Sequence, residues 1–345
     1  MAGSTLAALY SRHQGKLSDK WTIYISIYER LFSELIDQPL RVLEIGIQNR
    51  GSLEIWSEFF PLARKIVGCD ITEACRLLTY NDTRISVVVG DANTNEVEAA
   101  IAAQSPKFDL IIDDGSHRSS DIILSFARYF PRLEDGGMFV VEDLHCSYWA
   151  EFEGGLFDPA SSIAFLKRLA DVINHEHWGV PAARTALFES FTRTYGVRLD
   201  EELLGHIHAI EFLNSVCVIR KRAPSDNRLG TRVIAGQEAI VDADPLALHG
   251  SAARESDQSG NAWSRLMSLP EDELAALRAA VKDLEADLAG RAEELRDARN
   301  AALYADIRSN AAQNHIHQMR AKLSERAREA QQCQEALQAL RTHAS

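Results

Sequence analysis

The sequence predicts an α/β protein: a Rossmann-like, doubly wound, mostly parallel sheet with a C-terminal antiparallel hairpin, followed by an α-helical coiled coil. Three observations predict it. Residues 41–142 alternate short, continuous, β-branched apolar runs with helix-length stretches, as strands buried on both faces of a parallel sheet require. Two further apolar runs near residues 208–220 are parted only by Asn214 and Ser215. From Leu274 onward apolar residues recur with a seven-residue period, the mark of a coiled coil.

In chain order, residues 1–40 read as an N-terminal helical segment. Arg41–Ile45, Lys65–Cys69, Ser86–Val89, Phe108–Ile112 and Met138–Val141 read as five strands, with helices such as Gly51–Phe60 and Ser119–Tyr129 between them. Such a repeat implies right-handed crossovers. His208–Leu213 and Val216–Arg220 read as the closing hairpin. The first domain is therefore expected over 1–222. Residues 223–262, rich in Ala, Asp, Ser and Gly, read as a linker with one short strand around Arg232–Ile234. A helical tail is expected over 263–345. Ser268-Leu-Pro-Glu271 has capping-box spacing with Pro in the first turn. Leu274, Leu277, Val281, Leu284, Leu288 and Leu295 hold the a and d positions. The register returns unshifted at Ile316, Met319, Leu323, Ala330, Cys333, Leu337 and Leu340. Arg291, Ala298, Ala302, Ala305, Ser309 and Ala312 make a weak middle, so a solvated single helix is the alternative.

The bulk properties narrow the function classes. The chain has 345 residues, 46% hydrophobic and 25% charged, as in globular proteins. No apolar run approaches the roughly 20 residues of a membrane span, and the first residues lack a signal peptide's basic and apolar regions; a cytoplasmic location is expected. The five cysteines include no C-x-x-C pair, so neither a disulfide framework nor a thiolate zinc site is expected. The formal charge is −13. The segment from Glu271 carries 11 Lys and Arg against 13 Asp and Glu, which leaves −11 in residues 1–270. That surface argues against nucleic acid as a partner and leaves a neutral, sugar-like ligand open.

The residues suited to chemistry fall at strand ends. Gly46 lets the backbone approach a ligand, and Glu44 can accept from a cationic amine. Asp70 ends the second strand, where a carboxylate can bind both ribose hydroxyls. Asp91 ends the third, where one can accept from an adenine amino group. Each alone is weak, since an Asp after a strand is commonly a helix cap; together they point to a nucleoside. A dinucleotide is disfavoured, because the fingerprint G-x-G-x-x-G is here G-x-x-x-x-G. Asp113-Asp-Gly-Ser-His117 follows the fourth strand and Glu142-Asp143 the fifth. Asp114, Glu142 and Asp143 offer three hard oxygen ligands, which suits Mg²⁺, with His117 free as a base. The plainer reading is that Asp114 or Ser116 caps a helix and that Glu142-Asp143 is solvated loop. Tyr148 and Trp149 could stack on a sugar ring or pack beneath the edge. Asn174-His-Glu-His-Trp178 lacks the i, i+4 His spacing of a zinc helix.

Leu43-Glu-Ile-Gly46, Gly51-Ser-Leu-Glu-Ile-Trp56, Gly68-Cys-Asp-Ile71, Phe108–His117 and Val141-Glu-Asp-Leu-His-Cys-Ser-Tyr-Trp149 resemble the metal-dependent class I sugar O-methyltransferases, the group that acts on macrolide sugars and rhamnosyl groups. Asp19-Lys-Trp21 with Tyr24 and Tyr28 resembles that group's N-terminal segment, although Thr22-Ile23-Tyr24 departs from the usual His-Gly-Tyr. The resemblance covers about residues 15–222. It implies S-adenosylmethionine (SAM) held by Glu44, Gly46, Ser52, Asp70, Ile71, Asp91, Ala92 and Asp113. It also implies Mg²⁺ on Asp114, Glu142 and Asp143, His117 as general base, and a sugar-bearing small molecule or glycan as acceptor. The tail implies a homo-oligomer or a glycosyltransferase partner. Two alternatives remain. A cephalosporin-hydroxylase-like iron enzyme favours two His and one carboxylate, where this chain offers one clear His. The other is an inactive SAM-binding scaffold.

Overall fold

The structure, a computed structural model, describes residues 5–49, 51–242, 244–254, 256–264 and 270–343. It divides into two compact units, Met1–Glu273 and Leu274–Ser345.

In the first unit, α1 (Leu6–Arg12) and α2 (Thr22–Phe32) precede β1 (Arg41–Ile45). Then follow α3 (Gly51–Phe59), β2 (Lys65–Asp70), β3 (Ile85–Val89), α4 (Asn95–Gln104), β4 (Phe108–Asp113), α5 (Ser119–Tyr129) and β5 (Leu133–Val141). The remainder is α6 (Ser162–Ile173), α7 (Glu189–Tyr195), α8 (Glu201–Gly205), β6 (Ile207–Leu213) and β7 (Val216–Lys221). One seven-stranded sheet runs in the order β3-β2-β1-β4-β5-β7-β6. The first five strands are parallel, and β7 lies antiparallel to both β5 and β6.

Period-two burial explains the two-sided winding. Leu43, Ile45, Val67, Cys69, Ile111 and Phe139 enter one core with α5 and α6. Their neighbours Val42, Ile66, Leu110, Ile112 and Val140 enter the other with α2 and α3. Strands buried on both faces read as continuous apolar runs, which is why they stand out in the sequence. The aromatic side of the second core comes from Tyr28, Phe32, Trp56 and Phe60, all fully buried; Tyr28 and Phe32 stack at 4.9 Å. β5 begins five residues before the apolar run that announces it. Leu133 pairs with Phe108 and Met138 with Leu110, so Glu134–Gly137 is an irregular stretch between the two pairs, without apolar side chains.

The strand expected around Arg232–Ile234 is a single antiparallel bridge, Thr231 with Ala252. Val233 is almost fully exposed, and without a face to bury, the run does not extend. α9 (Pro270–His343), 74 residues long, or about 110 Å at the usual helical rise, supplies the described part of the second unit from Leu274 onward. Its described a and d side chains, including Leu277, Leu284, Leu288 and Leu295, are exposed. The capping residue Ser268 lies outside the described residues. No described helix is long and apolar enough to cross a membrane.

Candidate active site

The strand order reverses between β1 and β4. Open α/β sheets bind ligands at that switch point, beyond the carboxyl ends of the strands. Continued ladder bonds fix the loops there. Gly46 N donates to Cys69 O at 2.8 Å, Asp114 N to Ile45 O at 2.8 Å, and Glu142 N to Asp113 O at 2.9 Å. Gly46 has φ +84°, and a Cβ there would stand 1.9 Å from Asp114 O. Only glycine permits both the conformation and the approach. Gln48, His117, Asp143, Glu153 and Ser215 are the non-glycine residues with positive φ among those described. All of them belong to loops at this edge or contact it, and backbone strain is commonly retained at functional sites.

A cavity of about 240 Å³ opens beside the switch point. Gly46, Asp70, Ile71, Asp91, Ala92 and Asp113 line it, with Asn93, Ser116, Asp121 and Ser125. These include six of the eight residues expected to hold the methyl donor. The other two lie underneath: Ser52 donates to Glu44 Oε2 at 2.7 Å, and Trp56 Nε1 donates to the same oxygen at 3.2 Å. Glu44 Oε1 and Asp113 Oδ2 are buried without a hydrogen-bond partner, a costly state that a ligand's donors would relieve. Asp70 is already partly engaged. Its Oδ2 accepts from Ile47 N at 3.1 Å and Gln48 N at 2.7 Å, and its Oδ1 from Thr72 N at 2.8 Å. Burial alone would raise its pKa, but the N–H groups of Thr72 and Gln48 hold it below the usual carboxylate value.

Beside the cavity, Asp114, His117 and Asp143 each present a ligand atom, all within 4.8 Å of one another. His117 Nε2 lies 3.5 Å from Asp143 Oδ2. Burial lowers the His117 pKa, outweighing the opposing pull of Asp143, so the imidazole is neutral near pH 7. Glu142 is placed differently from the other expected ligands. It points inward, where Oε1 accepts from Tyr28 Oη at 2.5 Å and from Lys20 Nζ at 2.7 Å, and Oε2 accepts from Lys20 at 2.9 Å. Burial raises the Asp114 and Glu142 carboxyls to about 7 against the opposing charge of Lys20. Excess negative charge packed around one ammonium is an electrostatic setting that favours a further cation. Two carboxylates at this spacing fit a divalent ion, with the His117 imidazole beside them available as a base.

Several residues at this edge had no assigned role in the sequence. Lys20 is one. Tyr24 Oη donates to Asp143 Oδ1 at 2.7 Å, and Trp21 Nε1 to the same atom at 3.0 Å. His145 Nδ1 meets Ser215 Oγ at 2.6 Å. The resemblance of Asp19-Lys-Trp21 with Tyr24 and Tyr28 to the family's N-terminal segment was the signal that pointed here, without a role for any one residue. Trp149 is half-exposed, and its ring lies 5.1 Å from His145 and 6.1 Å from Phe152; Tyr148 is also exposed. The His175–His177 segment is not part of this site. His175 meets Ala182 O at 3.0 Å and packs on Trp178.

No protein-family model matches the chain. Curated relatives do. An 8-demethyl-8-α-L-rhamnosyl tetracenomycin-C 2′-O-methyltransferase of Streptomyces olivaceus is 34% identical over 230 residues, 64% of this chain and 55% of that protein. A mycinamicin VI 2″-O-methyltransferase of Micromonospora griseorubida is 38% identical over 160 residues, 43% of this chain and 39% of that protein. Among solved structures, the MycE methyltransferase of the mycinamycin pathway, in complex with Mg and SAH, superposes with a TM-score of 0.54 at 29% identity. It covers 65% of this chain and 56% of that one. The chain thus spans about half the length of the curated relatives it matches. In sequence and in fold it is a relative of the sugar O-methyltransferases.

Proposed function

We propose that this chain transfers the methyl group of SAM to a sugar hydroxyl of a glycosylated natural product, with a divalent cation, Mg²⁺, in attendance. The observation that carries the reading is the Asp114–His117–Asp143 cluster beside the donor cavity at the switch point of the sheet. The relatives' activities, 2′- and 2″-O-methylation of sugar-bearing compounds, and the Mg and SAH of MycE support it.

The donor brings a methyl group already activated on a sulfonium, and the cation, when bound, lowers the pKa of the acceptor hydroxyl. The protein's own contribution is positioning and proton transfer. Asp113 Oδ2 meets the donor as an unsatisfied acceptor with Glu44 beneath the cavity, while Asp70 and Asp91 offer carboxylates to its ribose and base. Asp114 and Asp143 would hold the cation, and Glu142 would join them. His117, neutral and adjacent, takes the hydroxyl proton on a ring nitrogen. The hydroxyl oxygen forms the new C–O bond as the S–CH₃ bond breaks and leaves its electron pair on sulfur. Asp143 then faces a charged imidazolium. Trp149 and Tyr148 offer exposed rings to the acceptor sugar. Bringing both substrates to one edge supplies much of the acceleration. The single clear His in the cluster disfavours the iron-hydroxylase alternative.

We further propose that the exposed stripe of α9 forms a coiled coil that assembles copies of the chain or recruits a glycosyltransferase in the cytoplasm, raising the effective concentration of acceptor. On this reading residues 1–222 form the catalytic domain, 223–262 the linker and 263–345 the assembling tail. The direct test is incubation with SAM, Mg²⁺ and a panel of rhamnosyl and other sugar acceptors, read by mass spectrometry. A product one methyl group heavier is expected. No methylation of any sugar acceptor, with another nucleophile methylated instead, would overturn the substrate class.

A further inference from the structure

Lys20 lies at the centre of the site. Its side chain is 3% exposed, and its Nζ stands 2.5 Å from Asp114 Oδ2, 2.7 Å from Glu142 Oε1 and 3.7 Å from Glu44 Oε1. The segment that delivers it is clamped onto α3. Gly51 N donates to Leu17 O at 2.9 Å, and Lys16 binds Glu54 through its backbone N at 2.8 Å and its Nζ at 2.5 Å. A Cβ at Gly51 would come within 1.9 Å of Lys16 O, so the backbone at Lys16 approaches as closely as glycine allows. Just past Lys20, Trp21 and Tyr24 bind Asp143. The N-terminal segment is therefore built to insert one ammonium among carboxylates that serve two different ligands.

We propose that Lys20 is the electrostatic link between the methyl-donor site and the cation site, a positioning residue that orders the Asp114 and Glu142 side chains and sets the charge that the donor meets at Glu44. The inference rests on the function proposed above. The charges close on that reading: Glu44, Asp114, Glu142 and Asp143 are four carboxylates. One ammonium, a divalent cation and a sulfonium neutralise them. A buried ammonium facing carboxylates cannot be removed without leaving charge unpaired. The donor and its product differ by one methyl group and the positive charge it places on sulfur, so a change in their relative affinity between variants reports the local charge. Packing alone would not alter that ratio.

The test is calorimetric titration of the full-length, EDTA-treated chain with SAM and, separately, with SAH. Wild type is compared with Lys20→Met, Lys20→Gln and Lys20→Arg. Methionine and glutamine keep most of the stem and lose the charge, and using both means that one folded neutral variant suffices, as checked by circular dichroism. The neutral variants should shift the SAM-to-SAH affinity ratio toward SAM by at least about threefold, the effect of one uncompensated charge several ångströms away. Their kcat should fall at least about tenfold through loss of the ordered carboxylates. Lys20→Arg should keep the wild-type ratio and recover part of kcat. A folded neutral variant with the wild-type ratio would overturn the role of Lys20. Failure of the wild-type chain to bind either ligand would instead overturn the donor site on which the inference rests.

Discussion

At the scale of single residues, His117 and Gly46 give the sharpest predictions. His117→Ala should lower kcat by about 10²–10⁴-fold while SAM affinity, measured by calorimetry, stays near that of wild type; a variant with wild-type turnover would remove His117 from the proton transfer. Gly46→Ala places a Cβ against Asp114 O in a left-handed backbone. It should cost about 1–3 kcal/mol in denaturant unfolding and weaken SAH binding, since the loop must withdraw from the cavity. Asp70→Ala should weaken SAM by about 1.5–3 kcal/mol; the expected loss includes the Ile47 and Gln48 N–H groups that Asp70 now holds. The strand-end residues were legible in the sequence because each apolar run fixes where its strand stops, and topology then brings the stops together. Lys20 was not. It lies 94 and 122 positions from Asp114 and Glu142, in a segment without periodicity, and only packing places it. The inward orientation of Glu142 was hidden for the same reason. Its partners Lys20 and Tyr28 come from the N-terminal segment.

At the scale of elements, burial decided what could be read. β1, β2, β4 and the hairpin follow their apolar runs to within about one residue because both faces of the sheet are covered. The short strand expected near Val233 had no face to cover and shrank to one bridge. The start of β5 was illegible because Glu134–Gly137, between the Leu133–Phe108 and Met138–Leu110 pairs, is irregular and carries no apolar side chain. α9 presents the converse case: the periodicity is strong at both ends, and the helix exists, yet a lone helix leaves the stripe in water, which favours pairing. Deleting residues 263–345 should lower the oligomeric state in light scattering while methylation of a small acceptor continues at a near wild-type rate. An unchanged ratio of mass to monomer mass would show that α9 does not drive assembly.

At the scale of the whole molecule, the chain carries a formal charge of −13, and part of that charge converges on one edge of one sheet. A single internal ammonium there leaves negative charge in excess. On the function proposed above, this edge binds a divalent cation in order to move a methyl group to a sugar hydroxyl. The most direct measurement is turnover of a rhamnosylated acceptor with SAM by the full chain, first in EDTA and then with excess Mg²⁺ restored, read by mass spectrometry. The methylated product should be absent in EDTA and return with Mg²⁺. Undiminished methylation in EDTA would contradict it.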